Sequence, residues 1–214
     1  MILDKKDKLV KIGNQTKLNS KYFGEGSDII ENSKGEEFII MLTWRERKIL
    51  KFNLNYELIQ ELDLPKQIRQ GWGITHDPKN PTIAYITDGS WFIFVCDFEQ
   101  DFKVVNTLEV KLNGKNIKFL NELEWINGYI WANIFLENFV VKIHPVTANV
   151  EKVFEFDRLV KEVIDEKPIV LKSSIKYNDV LNGIAFNPEN NLVYITGKNW
   201  PYIYEIEFDK NDII

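Results

Sequence analysis

The 214-residue sequence has a single cysteine, Cys96, and only two histidines, His76 and His144. One thiol excludes an intrachain disulfide framework and a thiolate-rich zinc site, and two histidines cannot make a three-histidine metal centre. Cys96 sits within Phe92-Ile-Phe-Val-Cys-Asp97 with no histidine nearby, so it is expected to be a small core residue and not a nucleophile. Alanine is scarce as well: Ala84, Ala132, Ala148 and Ala185 stand against 28 aromatic residues. That balance, with β-branched residues throughout, argues against a helix bundle and for a sheet protein. No apolar run approaches the roughly 18 residues of a membrane span. Met1-Ile-Leu-Asp-Lys-Lys-Asp-Lys turns charged at once and does not open on the apolar stretch of a secretory leader. With 27 basic against 32 acidic residues and a formal charge of -5, a polyanion is not the expected partner. Neither nucleic acid nor membrane is expected as a partner, and no compartment is assigned.

What is present is a repeat. Glu25-Gly-Ser-Asp-Ile-Ile, Trp72-Gly-Ile-Thr-His-Asp, Glu122-Leu-Glu-Trp-Ile and Gly183-Ile-Ala-Phe-Asn run in parallel, separated by 47, 50 and 61 positions. Each is followed by a turn and a second apolar stretch (38–44, 83–88, 129–133, 192–197), then a third (49–52, 92–95, 139–143, 202–206). After three of these comes a fourth, more alternating run (58–62, 103–108, 150–156). Four short strands recurring every 40 to 60 residues or so, with Asn127-Gly128, Asn187-Pro188 and Asp77-Pro78 between them, is the period of β-propeller blades. The chain is therefore expected to be a single all-β propeller domain over 1–214, with blades at 23–64, 71–112, 120–157 and 181–209. Residues 157–179 break the repeat. Apolar residues at 159, 160, 163 and 164 behind Asp157 as N-cap predict a short helix, and 167–178 a mobile loop.

Phe23-Gly-Glu-Gly26, Leu42-Thr-Trp44, Gly71-Trp-Gly73, Thr87-Asp-Gly-Ser90, Leu120-Asn-Glu-Leu-Glu124, Trp131-Ala-Asn133, Leu181-Asn-Gly-Ile-Ala185 and Thr196-Gly-Lys-Asn-Trp-Pro201 occur in this order. From about Phe23 to Ile206 this series resembles the plant and bacterial type of glutaminyl-peptide cyclotransferase. The resemblance implies a five-bladed propeller, a monomer, that converts the N-terminal glutamine of peptides and proteins to pyroglutamate and releases ammonia, with no cofactor and no metal. The reaction needs no external nucleophile. An uncharged α-amine attacks the carboxamide of its own residue, so the protein must supply a folded-back geometry, a proton relay and donors for the developing oxyanion.

The resemblance places that relay on Glu25, whose flanking glycines leave the carboxylate reachable while Phe23 and nearby tryptophans desolvate it. It places Asn121 as an amide donor to the substrate carbonyl, although an Asn opening a strand also makes a common turn. Lys198 falls in the pocket, holding either the charge of Glu25 or the substrate's carbonyl oxygen. Trp44 and Trp72 match pocket walls over the glutamine side chain, and for residues of that size a role in blade packing is compatible with this. Trp200 matches the pattern but is expected to be structural. Glu122 and Glu124 also fit the family's motif; as alternate strand residues they are expected on opposite faces, a poor pair for joint acid and base work, with one of them bonded to backbone amides. Asp88-Gly-Ser90 is expected to be a hairpin turn.

Two departures bear on activity. Phe135 stands where the family's Ala-Asn-x-Trp pattern has tryptophan, which keeps an apolar wall but loses the indole donor. Family members also carry, before Phe-Gly-Glu-Gly, a blade with Phe-Thr-Gln-Gly and Glu-Ser-Thr-Gly motifs that this sequence does not contain; only an outer remnant over 1–20 is expected, leaving about four blades. These departures leave a second expectation, a catalytically impaired propeller that binds peptide or protein. A metal-dependent hydrolase on a similar propeller would need a carboxylate-rich central site.

Overall fold

The computed structural model describes residues 2–3, 9–10, 16–166, 179–209 and 212, so the loop expected over 167–178 lies outside the described residues. Among the described residues the chain is all-β apart from one helix and a short 3-10 turn. Strands β1 (Ile2–Leu3) and β2 (Leu9–Val10) pair with each other. Three four-stranded antiparallel meanders follow. The first is β3 (Gly24–Glu31), β4 (Glu37–Thr43), β5 (Lys48–Phe52) and β6 (Leu58–Asp63). The second is β7 (Ile74–Asp77), β8 (Asn80–Thr87), β9 (Phe92–Asp97) and β10 (Lys103–Glu109). A small ribbon, β11 (Lys111–Leu112) with β12 (Lys115–Asn116), precedes the third, which is β13 (Leu120–Ile126), β14 (Tyr129–Ile134), β15 (Phe139–Ile143) and β16 (Val150–Glu155). Helix α1 (Asp157–Glu166) intervenes before a three-stranded sheet of β17 (Leu181–Asn187), β18 (Leu192–Gly197) and β19 (Tyr204–Ile206). This is a four-blade propeller arrangement, and among the described residues the last sheet has three strands, in line with the three runs the repeat gives there.

The blades form because each apolar run alternates between two faces, and each face finds its partner on the neighbouring blade. Three seams result. Ile30, Ile40 and Leu42 of the first blade bury against Ile74, Ala84, Ile86 and Cys96 of the second. Ile93 and Val95 of the second pack against Leu120, Leu123 and Ala132 of the third. Trp131, Val140 and Phe154 of the third pack against Leu181, Ile184, Val193 and Ile195 of the fourth. Each such fully buried side chain contributes on the order of 2 kcal/mol, so truncating Ile86 to alanine would loosen the first seam by about 2–5 kcal/mol. Cys96 is a wholly buried member of that seam, with burial pushing its thiol up to about 12.

Local chemistry sets the turns. Asn127 and Gly128 form the two-residue link between β13 and β14 and both have positive φ, 47° and 92°, the requirement of a hairpin turn that follows the right-handed strand twist. Asp88 accepts from the Ser90 amide at 3.1 Å and from the Arg69 amide at 3.2 Å, which makes it the turn residue expected. Asp157 departs from expectation. It lies inside the first turn of α1, and its carboxylate accepts from the Asn138 amide at 2.8 Å and not from the helix's own amides, because the preceding blade offers a side-chain donor.

Candidate functional site

The first strands of the four blades, β3, β7, β13 and β17, stand side by side as inner strands, and each carries a bulge at its start. Gly24 pairs with Thr43 and Ser27 with Met41, so Glu25 and Gly26 together face Leu42. Asn121 and Glu122 face Asn133 in the same way, and Asn182 and Gly183 face Thr196. In the second blade the Trp72 amide donates to the Thr87 carbonyl while the Thr87 amide donates to Gly73, again two residues against one. A bulge of this kind re-aims side chains, and it recurs in all four blades. Glu25, Trp72, Asn121 and Asn182 are therefore equivalent positions, and so are Trp44, Gly89, Phe135 and Lys198 just beyond the second strands.

This register corrects the repeat read from sequence. The third and fourth units align on Asn121 and Asn182, one residue earlier than Glu122 and Gly183, because a bulge adds a residue that apolar periodicity does not register. It also corrects the expectation for Glu122 and Glu124. Residues two apart in a strand share a face, and both carboxylates reach the inner strand of the last blade, Glu122 accepting from the Ile184 amide at 2.9 Å and Glu124 from the Phe186 amide at 2.8 Å.

Glycines let the inner strands approach at the bulges. A Cβ on Gly26 would lie 2.4 Å from the Trp72 carbonyl oxygen, to which the Gly26 amide donates at 2.6 Å. A Cβ on Gly73 would lie 2.1 Å from the Asn121 carbonyl oxygen. The Thr87 hydroxyl holds the same junction, accepting from the Gly73 amide at 2.8 Å and donating to the Asn121 carbonyl at 2.6 Å. The backbone of Asn121, a buried residue, is thus fixed through Thr87.

Around this end the side chains form a chain of contacts. Phe23 meets Trp44 edge-on at 5.7 Å between centroids. The indoles of Trp44 and Trp72 both donate to one oxygen, Oε1 of Gln70, at 2.8 and 2.9 Å. Trp72 meets Phe135 edge-on at 5.6 Å, and Lys198 Nζ stands 5.4 Å from the centroid of the Phe135 ring. Lys198 then reaches back to the first blade, with Nζ 3.6 Å from Glu25 Oε2, two residues from Phe23. Six of the seven residues singled out from sequence, all but Asn121, share this circuit. Asn121 enters through the shared bulge position and its backbone contacts with the Trp72-Gly73 strand.

The Glu25 carboxyl is perturbed as well as placed. Its side chain is 15% exposed, and burial raises its carboxyl above the ordinary glutamate value, while the Lys198 ammonium opposes the rise. At 3.6 Å the ammonium stands just beyond ordinary hydrogen-bond length from Oε2, a geometry in which the carboxylate can still take a proton from a ligand.

Three features were not found by reading the sequence. Gln70 has no motif signature, since what marks it is two indoles meeting one carbonyl. Gly89, at φ +81°, lies under Trp72, whose ring atoms would sit 2.6 to 2.8 Å from a Cβ there. Asn182 had a readable signal in the Leu-Asn pair shared by Leu120-Asn121 and Leu181-Asn182. Trp200 is structural in the described fold, its indole donating to the Asp179 carbonyl at 3.1 Å.

A separate cavity of about 680 Å³ opens at the far ends of the inner strands, lined by residues that include Asp28, His76, Glu124 and Phe186. His76 Nδ1 and Asp28 Oδ2 are 2.7 Å apart there. Among the described residues no group of three or more His, Cys, Asp or Glu is arranged to hold a metal ion.

Comparison with known proteins agrees with the geometry. A family model described as glutamine cyclotransferase matches residues 2–208. A glutaminyl-peptide cyclotransferase of Arabidopsis thaliana is 29% identical over 191 residues, covering 89% of this chain and 54% of that protein, so the chain spans about half the length of this relative. The glutaminyl cyclase of Myxococcus xanthus superposes with a TM-score of 0.74 at 28% identity, over 88% of this chain and 73% of that one. A hydrazine synthase of Kuenenia stuttgartiensis shares the fold alone, with a TM-score of 0.50 at 13% identity over 81% of this chain and 43% of that one.

Proposed function

This chain belongs to the glutamine cyclotransferase family, and from that membership and the site geometry we propose that it cyclises the N-terminal glutamine of peptides to pyroglutamate with release of ammonia. The observation that carries the proposal is the part-buried Glu25 carboxylate, held 3.6 Å from Lys198 inside a wall of aromatic rings. The glutamine side chain enters between Trp44, Trp72 and Phe135, with Phe23 at the rim. An α-amine with a pKa near ~8 is already partly uncharged at neutral pH, so a modest base suffices. The amine nitrogen bonds to the side-chain carbonyl carbon as Glu25 takes its proton. The carbon to amide-nitrogen bond then breaks, and the same proton leaves with ammonia. Asn121 supplies a donor to the oxyanion that forms between these steps, and Lys198 holds Glu25 in place and balances its charge. The reaction is redox-neutral, with no electrons entering or leaving.

The test is direct. The purified chain, incubated with a glutamine-initiated peptide, is expected to release one ammonia per peptide, followed by a coupled ammonia assay and by the mass of the product. A second reading, a propeller that binds such peptides without turning them over, is favoured by one observation: Phe135 offers no indole donor where the family pattern has tryptophan. Tight peptide binding with no ammonia released would sink the enzyme reading and leave this one.

A further inference from the structure

Asn182 shares the bulge position of Glu25, Trp72 and Asn121, yet the reaction as drawn gives it no task. It is held firmly. The next residue, Gly183, at φ +149°, donates its amide to Asn133 Oδ1 at 2.9 Å, and the Ile184 amide donates to Glu122 Oε2 at 2.9 Å, so Asn182 lies against the strand that bears Asn121. Leu181, one residue before it, pairs with Gly197, the neighbour of Lys198. Its Oδ1 is nonetheless buried with no hydrogen-bond partner among the described residues. A buried acceptor left unmatched is uncommon and unfavourable, and one carried at the same bulge position as Glu25 is a candidate to receive a ligand donor. In the same seam Asn133 Nδ2 is likewise buried and unmatched, so an internal pairing of the two amides is the competing explanation.

Resting on the function proposed above, we infer that Asn182 Oδ1 accepts an N–H of the substrate's α-amine and so turns the nitrogen lone pair towards the carboxamide carbon. The two asparagines then do opposite work from equivalent positions: Asn121 donates to the carbonyl oxygen, and Asn182 accepts from the attacking nitrogen. The site would select a free α-amino group as well as a carboxamide. Asn182 is a positioning and specificity residue of this kind, distinct from the proton relay.

Two ligands separate this role from a structural one: a glutamine-initiated peptide, and its desamino analogue, which keeps the carboxamide and lacks the α-amine. Asn182→Ala is expected to lower kcat/KM for the peptide by about 10- to 100-fold, the range of a hydrogen bond to a charged or polarised group. The inhibition constant of the analogue should move by less than about twofold. Asn182→Asp keeps the acceptor and should retain at least about a third of the wild-type kcat/KM, which keeps the test decisive if the alanine variant does not fold. Equal weakening of both ligands, the result expected if Asn182 pairs only with Asn133, would overturn the inference, as would an unchanged kcat/KM or an aspartate variant as poor as the alanine one. If the wild-type chain releases no ammonia, the function reading fails separately, and the affinities of the two ligands by titration calorimetry still decide the role of Asn182.

Discussion

Glu25 at the bulged end of the inner strands and Glu124 towards their far ends are both carboxyls that burial lifts above the ordinary value, and they have opposite fates. Glu124 is raised further, to about 8, by burial and then by the nearby Asp28 charge, and Glu122 is raised well above the usual range by burial and by Glu124. Both accept a backbone amide of the last blade, so each serves as a rung between two inner strands. Glu25 is raised less, and its partner is a flexible lysine held at ion-pair distance. Under the proposed function, the carboxyl assigned to the proton relay is therefore not the one with the largest shift. A carboxyl tied to backbone amides is occupied with holding strands together, whereas one facing a cation and an open aromatic mouth can exchange a proton.

The largest effect that separates the two ends comes from removing the carboxyl of each in turn. Glu25→Gln is expected to lower kcat by about 10²–10⁴-fold, the usual contribution of a positioned base, with an unchanged melting curve. Glu124→Leu should leave kcat within about threefold and lower stability by about 1–3 kcal/mol, because the Phe186 amide loses its acceptor. An active Glu25→Gln chain beside an inactive Glu124→Leu chain would move the chemistry to the far end and break the comparison. The next effect is on stability against pH. A carboxyl whose folded value lies above its unfolded value binds more protons in the folded state, so its contribution is fully present below about pH 4.5 and is lost as pH rises through about 8. From pH 5 to pH 9 Glu124 alone should lower stability by on the order of 3 kcal/mol. Denaturant titrations across that range should slope downwards in the wild type and be flatter in Glu124→Gln; parallel slopes would show that Glu124 carries no such burden.

The blades were legible in sequence because β-branched and aromatic runs separated by turn residues are a local signal. Most of the residues that the structure brings together in the candidate site were legible through short motifs at strand starts and ends. What escaped was set by geometry between chains of residues. A bulge inserts one residue without disturbing the apolar pattern, so the third and fourth repeats were aligned one position late, Asn182 was passed over, and Glu122 and Glu124 were expected on opposite faces. Gln70 escaped for a different reason: its role exists only where the first and second blades bring two indoles to one oxygen.

Smaller effects sharpen the bulged end by itself. Lys198 lowers the value to which burial has raised Glu25, so Lys198→Met should move the acid limb of the kcat/KM profile to higher pH, where Glu25 is again ionised. At neutral pH kcat/KM should fall by about an order of magnitude. An unmoved limb would mean that Lys198 acts on the substrate and not on Glu25.

Phe135→Trp is expected to have the smallest effect, and it tests what the aromatic wall contributes. Phe135 is half-buried, with Trp72 edge-on to it at 5.6 Å and Lys198 5.4 Å from its centroid, so a larger ring can extend towards solvent without entering a seam. Indole offers Lys198 a stronger π face and adds an N–H donor at the mouth. The first steadies Lys198 and the second meets the bound substrate before any bond changes, and neither adds charge stabilisation where the oxyanion forms. Uniform binding of this sort lowers KM and leaves kcat alone, here by about two- to fivefold. A rise in kcat with KM unchanged would place residue 135 beside the reacting atoms and make the wall part of the chemistry.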